Sequence, residues 1–507
     1  MTPSPTCICG NSLWFPTGYS RNPACFGRLQ TVRSRVASKP WSPDSWQRSK
    51  ISQLPDYADP VALERAIQAL TKFPPLVTSW EVESLKTQLA EACQGKRFLL
   101  QGGDCSESFE DCNSSVITAK LKILLQMSLV LVVGGKMPVI RVGRIAGQYA
   151  KPRSSNFEVR EGKELPSYRG DMINRYGFTE QDRIPNPELM LRGYERAALT
   201  LNFIRGLMDG GFADLHHPEY WDLDFVARSP EAAEYRRIVE SISNSVNFLE
   251  IILGGRVEQF KRVDFFTSHE GLHLYYEQAQ TRHVPRRTGW YDLSTHFPWI
   301  GNRTRGLDSA HVEFFRGIAN PIGVKIGPEI SPEELVELTQ ILNPQNEPGR
   351  LTLIHRMGLQ AIDRALPPLI EAVMRKNRIV LWCCDPMHGN TETTSSGRKT
   401  RDFNKILAEL ERAFQIHQEL GSFMGGVHFE LTGENVTECI GGARGLTEAD
   451  LPRAYRSQVD PRLNYEQALE MAMLTSRLMG RFNHRTMRKV SVNAAAGLVD
   501  TQAVLPD

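Results

Sequence analysis

The sequence predicts an α/β fold: a (β/α)8 TIM barrel with an N-terminal helical extension and a helical insertion between its second and third strands. Two observations predict it. Eight short apolar or β-branched runs recur along the chain, and amphipathic stretches lie between most of them. At 507 residues the chain is long enough for one large domain with extensions.

The first forty residues stand apart. Up to Lys39 there is no Asp or Glu, while Arg21, Arg28, Arg33, Arg35 and Lys39 are spread among Ser, Thr, Gly and Pro. That acidic-poor, basic composition suits an organelle transit segment and lacks the apolar centre of a secretory signal. An unstructured cytosolic extension suits it equally. Location is therefore expected to be cytoplasmic, with plastid or mitochondrion as the alternative. Residues 41–96 then read as the helical extension. "DPVALERAIQALTKF" (Asp59–Phe73) and "SWEVESLKTQLAEACQG" (Ser79–Gly95) carry apolar residues at three- and four-residue steps, with starts at Asp59–Pro60 and Ser79 and a stop at Gly95.

The barrel is expected over 97–480. Its strands are read from "RFLLQGGD" (Arg97), "MPVIRVGR" (Met137), "VDFFTSHE" (Val263), "WYDLSTHFPWIG" (Trp290), "PIGVKIGP" (Pro321), "RLTLIHRMG" (Arg350), "RIVLWCCDPMHG" (Arg378) and "GGVHFELTG" (Gly425). "SPEELVELTQILN", "LPPLIEAVMRK" and "DFNKILAELERAFQIHQELG" are the helices between the later ones. The stretch 154–255 breaks this rhythm with long helical patterns and is read as the insertion; 481–507 is read as a C-terminal tail. "ILLQMSLVLVV" (Ile123–Val133) is shorter than the ~20 residues a bilayer needs and contains Gln126, so it is read as a buried helix and no membrane partner is expected. Lys+Arg 60 against Asp+Glu 58 gives no basic field for nucleic acid. The nine cysteines are scattered, as reduced thiols are, rather than framed as a disulfide scaffold.

In such a barrel the active site lies at the C-terminal ends of the strands. Those ends carry Asp104-Cys105, Arg144, Glu270, Asn302-Arg303, Lys325, Arg356, His388 and Glu430. Cys105, His388 and Glu430 offer S, N and O donors to a divalent transition metal, although their wide spacing is equally that of satisfied polar groups at a barrel mouth. Arg144, Arg303, Lys325 and Arg356 can clamp phosphate and carboxylate; singly each would read as a surface ion pair, and four at one level favour the clamp. Side chains alternate across a strand, so of Cys383 and Cys384 at most one faces the interior, and neither is expected to be a ligand.

Several longer motifs carry a family resemblance. "LLQGGDCSESF" (Leu99–Phe109), "MPVIRVGRIAGQYAKPRS" (Met137–Ser154), "LPSYRGDMIN" (Leu165–Asn174), "TSHEGLHLYYE", "RTRGLDSAHVEFFRGIANPIGVKIGP", "DPMHGNT", "GGVHFELTGENVTECIGG" (Gly425–Gly442) and "DPRLN" (Asp460–Asn464) resemble the type II, plant-like 3-deoxy-D-arabino-heptulosonate 7-phosphate (DAHP) synthases. The likeness runs from about Trp41 to about Met479. It implies condensation of phosphoenolpyruvate with erythrose 4-phosphate and water to give DAHP and phosphate, the entry to the shikimate pathway.

By motif match it further implies one divalent metal per chain (Mn2+, Co2+ or Zn2+) on Cys105, His388, Glu430 and Asp460, acting on the aldehyde oxygen as a Lewis acid. Phosphoenolpyruvate would be held by Arg144, Asn302, Arg303, Lys325 and Arg356, and the aldose phosphate approached by Lys151, Arg153 and Ser154, with Glu270 behind the first contacts. The family also implies a homo-oligomer and feedback by aromatic amino acids. Three departures stand out: Asn302 in "GNRTRG" where the family has "GERTRQ", Glu434 where it tends to have Gln, and Val459 where it tends to have Cys. Without a thiol at 459, no disulfide to Cys105 can form there. Such changes keep open a specialised paralogue acting on a modified aldose phosphate. A catalytically silent relative would be expected to lose ligands or clamps, and this chain keeps them.

Overall fold

The computed structural model describes residues 40–160, 162–212, 232–253 and 263–499. The targeting reading of the first forty residues falls almost wholly outside them.

Eight parallel strands form the central sheet: β1 (Phe98–Gly103), β2 (Val139–Arg144), β3 (Phe266–Thr267), β4 (Trp299–Ile300), β5 (Ile322–Ile326), β6 (Leu351–His355), β7 (Leu381–Cys384) and β8 (Met424–Glu430). They pair in the order β3-β2-β1-β8-β7-β6-β5-β4. Register is continuous across the middle, with Gln101 facing Val142 on one side and His428 on the other. The two edges meet through a parallel bridge between Glu270 and Trp299, where Trp299 N–H donates to His269 O at 3.1 Å and Gly271 N–H to Trp299 O at 3.0 Å. That seam closes the barrel.

The third and fourth strands are shorter than the sequence runs suggested. Of "WYDLSTHFPWIG", Trp290–Asp292 pairs antiparallel with Thr281–His283 in a separate hairpin, and only Trp299–Ile300 joins the barrel. Pro298 has no N–H for the ladder and joins it only through its carbonyl, which accepts from Gly323 N–H at 3.1 Å. In "VDFFTSHE", the Thr267 N–H donates to the ring nitrogen Nδ1 of His296 at 2.9 Å. A side chain takes the donor that a longer strand would use.

The insertion is not wholly helical. It holds the helices Glu180–Arg183, Glu188–Asp209 and Ala232–Leu253, but opens with an antiparallel hairpin, Phe157–Arg160 against Lys163–Pro166. "FEVR" has the two-residue alternation of a strand, and Gly162 takes φ +79° at the turn. A second small hairpin, Thr391–Thr393 against Lys399–Arg401, follows β7. The last helix, Tyr465–Val499, runs through position 480 without a break, so the expected tail continues the barrel's final helix.

The helix Pro60–Lys72 starts as read: Asp59 accepts from Val61 N and Ala62 N, and Pro60 occupies the first turn. The next helix, Ser79–Cys93, is capped one residue earlier than expected, by Thr78 in a capping box with Glu81. Its Leu85, Leu89 and Ala92 pack with Leu99 and Leu381 across the strands' N-terminal ends, leaving the C-terminal mouth open. The apolar segment around Gln126 lies in the helix Ser114–Gly135, buried against the Tyr465–Val499 helix, with Tyr465 donating to the Gln126 side chain.

Candidate active site at the barrel mouth

The strand ends surround a cavity of about 360 Å³. Arg144, Lys151, Arg153, Ser154, Glu270, Asn302, Arg303, Lys325, Arg356, His388 and Asp460 line it. Cys105 and Glu430 are fully buried beneath, reached through Lys151. The residues read from the sequence as metal ligands and substrate contacts thus converge on one place.

Three donors form the floor. Ligand atoms of Cys105, Glu430 and Asp460 lie within 4.8 Å of one another. His388 joins from the side, with Nε2 2.9 Å from Glu430 Oε1 and Nδ1 2.7 Å from Asp385 Oδ2. An imidazole steadied by a carboxylate on one nitrogen presents the other in the manner of metal-binding histidines. A positive charge already sits among these donors. The Lys151 ammonium is 2.7 Å from Cys105 Sγ, 3.0 Å from Asp460 Oδ2 and 3.5 Å from Glu430 Oε1. A thiol, an imidazole and two carboxylates gathered round a cation are a donor set that a divalent transition metal fits. The sequence placed Lys151 with the aldose phosphate; the geometry puts its charge in the metal group. Cys383 and Cys384 are buried and stand outside that group.

The electrostatics agree. Burial opposes ionisation of Glu430, but His388, Lys151, Arg401 and Arg144 outweigh it and hold the carboxylate well below its usual range. Asp460 is likewise held low, against burial, by Lys151, Arg401 and Lys399. Burial, aided by Glu430 and Asp460, pushes the Cys105 thiol up to about 12, with Lys151 pulling against it.

Cations occupy the remaining walls. Arg144 donates from Nη2 to Glu430 at 3.1 Å and to Cys105 O at 3.2 Å, with its guanidinium 5.2 Å from the centre of the Trp299 ring. Lys325 pairs with Asp385, and burial brings its ammonium down to about 8 while Asp385 resists. Arg356 donates to His388 O at 2.6 Å. The Asn302 side chain is turned aside: its Nδ2 donates to Glu329 at 2.7 Å and its Oδ1 accepts from Arg305 at 3.2 Å. Of the other departures, Val459 lines the cavity, whereas Glu434 pairs with Arg456 away from it.

Several supporting contacts escaped the sequence reading, which had Asp104 only as a strand-end residue. Glu107 accepts from the N–H groups of Ala146, Gly147 and Gln148 at 2.8–3.0 Å, folding the loop that leads from Arg144 to Lys151. Asp104 accepts from Arg462 at 2.6 Å, drawing the Asp460 loop beside Cys105. Glu409 accepts from Met357 N, Gly358 N and Asn390 Nδ2, tying the Arg356 loop to the His388 loop. Arg401, fully buried, donates to Glu430 at 2.6 Å, and Lys399 lies 2.8 Å from Asp460. Asp104, Glu107 and Asp385 sit inside quoted motifs, which was a usable signal. Glu409 sits on a helix and Lys399 and Arg401 on a hairpin, and no local pattern marks them.

The loops also meet backbone to backbone. A Cβ on Gly389 would lie 2.3 Å from Gly358 N, and Gly358 takes φ +80°. That contact needs glycine on both sides, and it brings Arg356 against His388.

Comparison with known proteins agrees with this geometry. The class-II DAHP synthetase family matches residues 41–476. The chain is 47% identical over 452 residues to a phospho-2-dehydro-3-deoxyheptonate aldolase of Neurospora crassa, covering 86% of this chain and 94% of that one. It is 46% identical over 449 residues to the enzyme of that name from Streptomyces coelicolor, covering 88% and 99%. A relative from Mycolicibacterium smegmatis is 46% identical over 426 residues, covering 83% and 91%. With its barrel, its donor set and these matches together, the chain belongs to the class-II DAHP synthetase family.

Proposed function

We propose that this chain is a DAHP synthase, joining phosphoenolpyruvate to erythrose 4-phosphate with water to give DAHP and phosphate, at the start of aromatic amino acid biosynthesis. The observation that carries the reading is a single cavity in which a Cys–His–Glu–Asp donor set faces Arg144, Arg303, Lys325 and Arg356. One reactant has a phosphate and a carboxylate, the other a phosphate and an aldehyde, and the cavity offers partners for each.

Cys105, His388, Glu430 and Asp460 would hold one divalent metal, Mn2+, Co2+ or Zn2+, which when bound supplies Lewis acidity toward the aldehyde oxygen. Arg144, Arg303, Lys325 and Arg356 bind and orient phosphoenolpyruvate, with the backbone at Asn302 rather than its occupied side chain completing the clamp. Arg153, Ser154 and Lys399 hold the aldose phosphate, and Lys151 joins them when its ammonium leaves the donor group. Fixing two reactants in one geometry can be worth ~7–11 kcal/mol. The hairpin of the insertion leaves Phe157 and Val159 half or more exposed, which supports burial against a second copy. We read the chain as a homo-oligomer, with aromatic amino acids as effectors through its extensions.

Phosphate release from phosphoenolpyruvate, dependent on both erythrose 4-phosphate and Mn2+, tests the reaction. Turnover with other aldose phosphates but not this one would replace the substrate, and release without any aldose would replace the reaction.

A further inference from the structure

We infer that His428 is a positioning residue for phosphoenolpyruvate binding: it holds the Arg144 guanidinium in place through a one-way chain of hydrogen bonds beneath the cavity. This rests on the reaction proposed above, in which Arg144 binds phosphoenolpyruvate, and it adds residues that touch no reactant.

His428 lies two residues before Glu430 on β8, so the two side chains point to one side of the strand. Gln101 on β1 is its register partner, and Ser268 follows β3. All three are fully buried and none lines the cavity. Their polar atoms form a chain. Arg144 Nη1 lies 2.8 Å from His428 Nε2, and His428 Nδ1 lies 2.7 Å from Gln101 Oε1. Gln101 Nε2 lies 3.0 Å from Ser268 Oγ, which is 3.1 Å from Gly143 O. The chain thus leaves the backbone at Gly143, passes through three other elements and returns to the side chain of the next residue.

Donor chemistry fixes every proton in it. A guanidinium only donates and a carbonyl only accepts. Arg144 therefore donates to His428 Nε2, which leaves the ring proton on Nδ1, where it is donated to Gln101 Oε1. The Gln101 amide in turn donates to Ser268, and the Ser268 hydroxyl donates to Gly143 O. His428 is a neutral acceptor committed to Arg144. The other tautomer would set one N–H against another.

This decides where Arg144 points. Its Nη2 is taken by Glu430 at 3.1 Å and Cys105 O at 3.2 Å, and its Cζ lies 5.2 Å from the centre of the Trp299 ring. Trp299 also meets the His428 ring edge to face, with centroids 5.4 Å apart. With Nη1 held by His428, the guanidinium cannot turn both Nη groups onto Glu430 in the bidentate pairing that Arg and carboxylate favour. Its Nε stays without a partner among the described residues, so this cavity-lining side chain keeps a donor for an anion. A donor fixed in advance binds more tightly than one that must be ordered on binding.

The test is calorimetric binding of phosphoenolpyruvate to the full-length protein loaded with Mn2+, with no aldose present. His428→Phe keeps a ring against Trp299 and removes the acceptor. Its Kd for phosphoenolpyruvate is expected to rise about tenfold or more. His428→Gln carries an acceptor to about the place of Nε2, and its Kd is expected within about threefold of wild type. Gln101→Leu frees the ring to take either tautomer and should weaken binding about threefold or more, yet add nothing to His428→Phe in the double variant. Wild-type Kd in His428→Phe overturns the assignment. A loss that His428→Gln does not restore, or effects of Gln101→Leu and His428→Phe that add in full, overturns it too, since either marks general damage to the core. Should His428→Phe not fold, Gln101→Leu decides, and an unchanged Kd overturns the chain. A wild-type protein that binds no phosphoenolpyruvate overturns the proposed reaction and this inference with it; a wild type that binds it no more tightly than His428→Phe does overturns this inference alone.

Discussion

The Lys151 ammonium lies 2.7 Å from Cys105 Sγ, so a lysine occupies the centre of the group that the metal would claim. Metal and ammonium cannot share that point. A divalent metal held by Cys105, His388, Glu430 and Asp460 would compete with the Lys151 ammonium for these donors, and its binding would draw a proton from the buried thiol. We expect Mn2+ titration by calorimetry to release protons, shown by a heat that varies with buffer ionisation enthalpy. We also expect Cys105→Ser to weaken metal retention at least tenfold. A heat independent of buffer would place the metal elsewhere.

His388 and Asp385 form a unit, with Nδ1 2.7 Å from Oδ2. His388→Ala is expected to abolish turnover and metal retention. Asp385→Asn, which loosens the ring and leaves a donor set of the same size, is expected to cost about 10–100-fold in metal affinity. Cys383→Ser and Cys384→Ser should leave kcat and metal content close to wild type. Full metal occupancy in His388→Ala at wild-type affinity would sink the assignment.

The anion clamp separates by burial. Arg356→Ala and Lys325→Ala should each raise KM for phosphoenolpyruvate about tenfold or more, since each removes a charge-assisted contact. Lys325 is the more deeply buried and its loss strips a partner from the buried Asp385. Lys325→Ala should therefore also lose on the order of 3 kcal/mol of stability, while Arg356→Ala stays near the wild-type Tm. Equal Tm for the two variants would contradict the burial argument.

Glu409 supplies a pH-dependent term. Burial, with Asp385 nearby, raises it from 4.5 to about 7, against the N–H donors of Gly358 and Met357 and the Asn390 amide. A carboxyl whose folded affinity for the proton is raised contributes stability that is complete below about pH 4.5 and is lost as pH climbs through about 7. Its size is on the order of 3 kcal/mol. Denaturant unfolding of wild type against Glu409→Gln across pH 4.5–8 should show a flatter profile for the variant between about pH 4.5 and 7. Parallel profiles would remove Glu409 as the source.

By itself the sequence determined the class of fold and the inventory of the site. Parallel strands buried on both faces demand apolar runs, and crossover helices demand amphipathic ones, so the alternation near Ile322–Ile326, Leu351–His355 and Met424–Glu430 was legible residue by residue. Barrel topology then sends every strand's C-terminal residue to one mouth, which is why Arg144, Lys325, Arg356, His388 and Glu430 could be gathered before any coordinate was known. What only the tertiary structure decided is who touches whom. The two-residue strand at Trp299–Ile300 depends on a pairing with the Glu270 segment across the seam, and no local pattern encodes it. The place of Lys151 among the donors, the clasp of Glu409 on two loops and the hold of His428 on Arg144 are likewise products of distance in space, between groups separated by tens to hundreds of residues. Periodicity records which face of an element is buried; it holds no record of which charge waits on the other side.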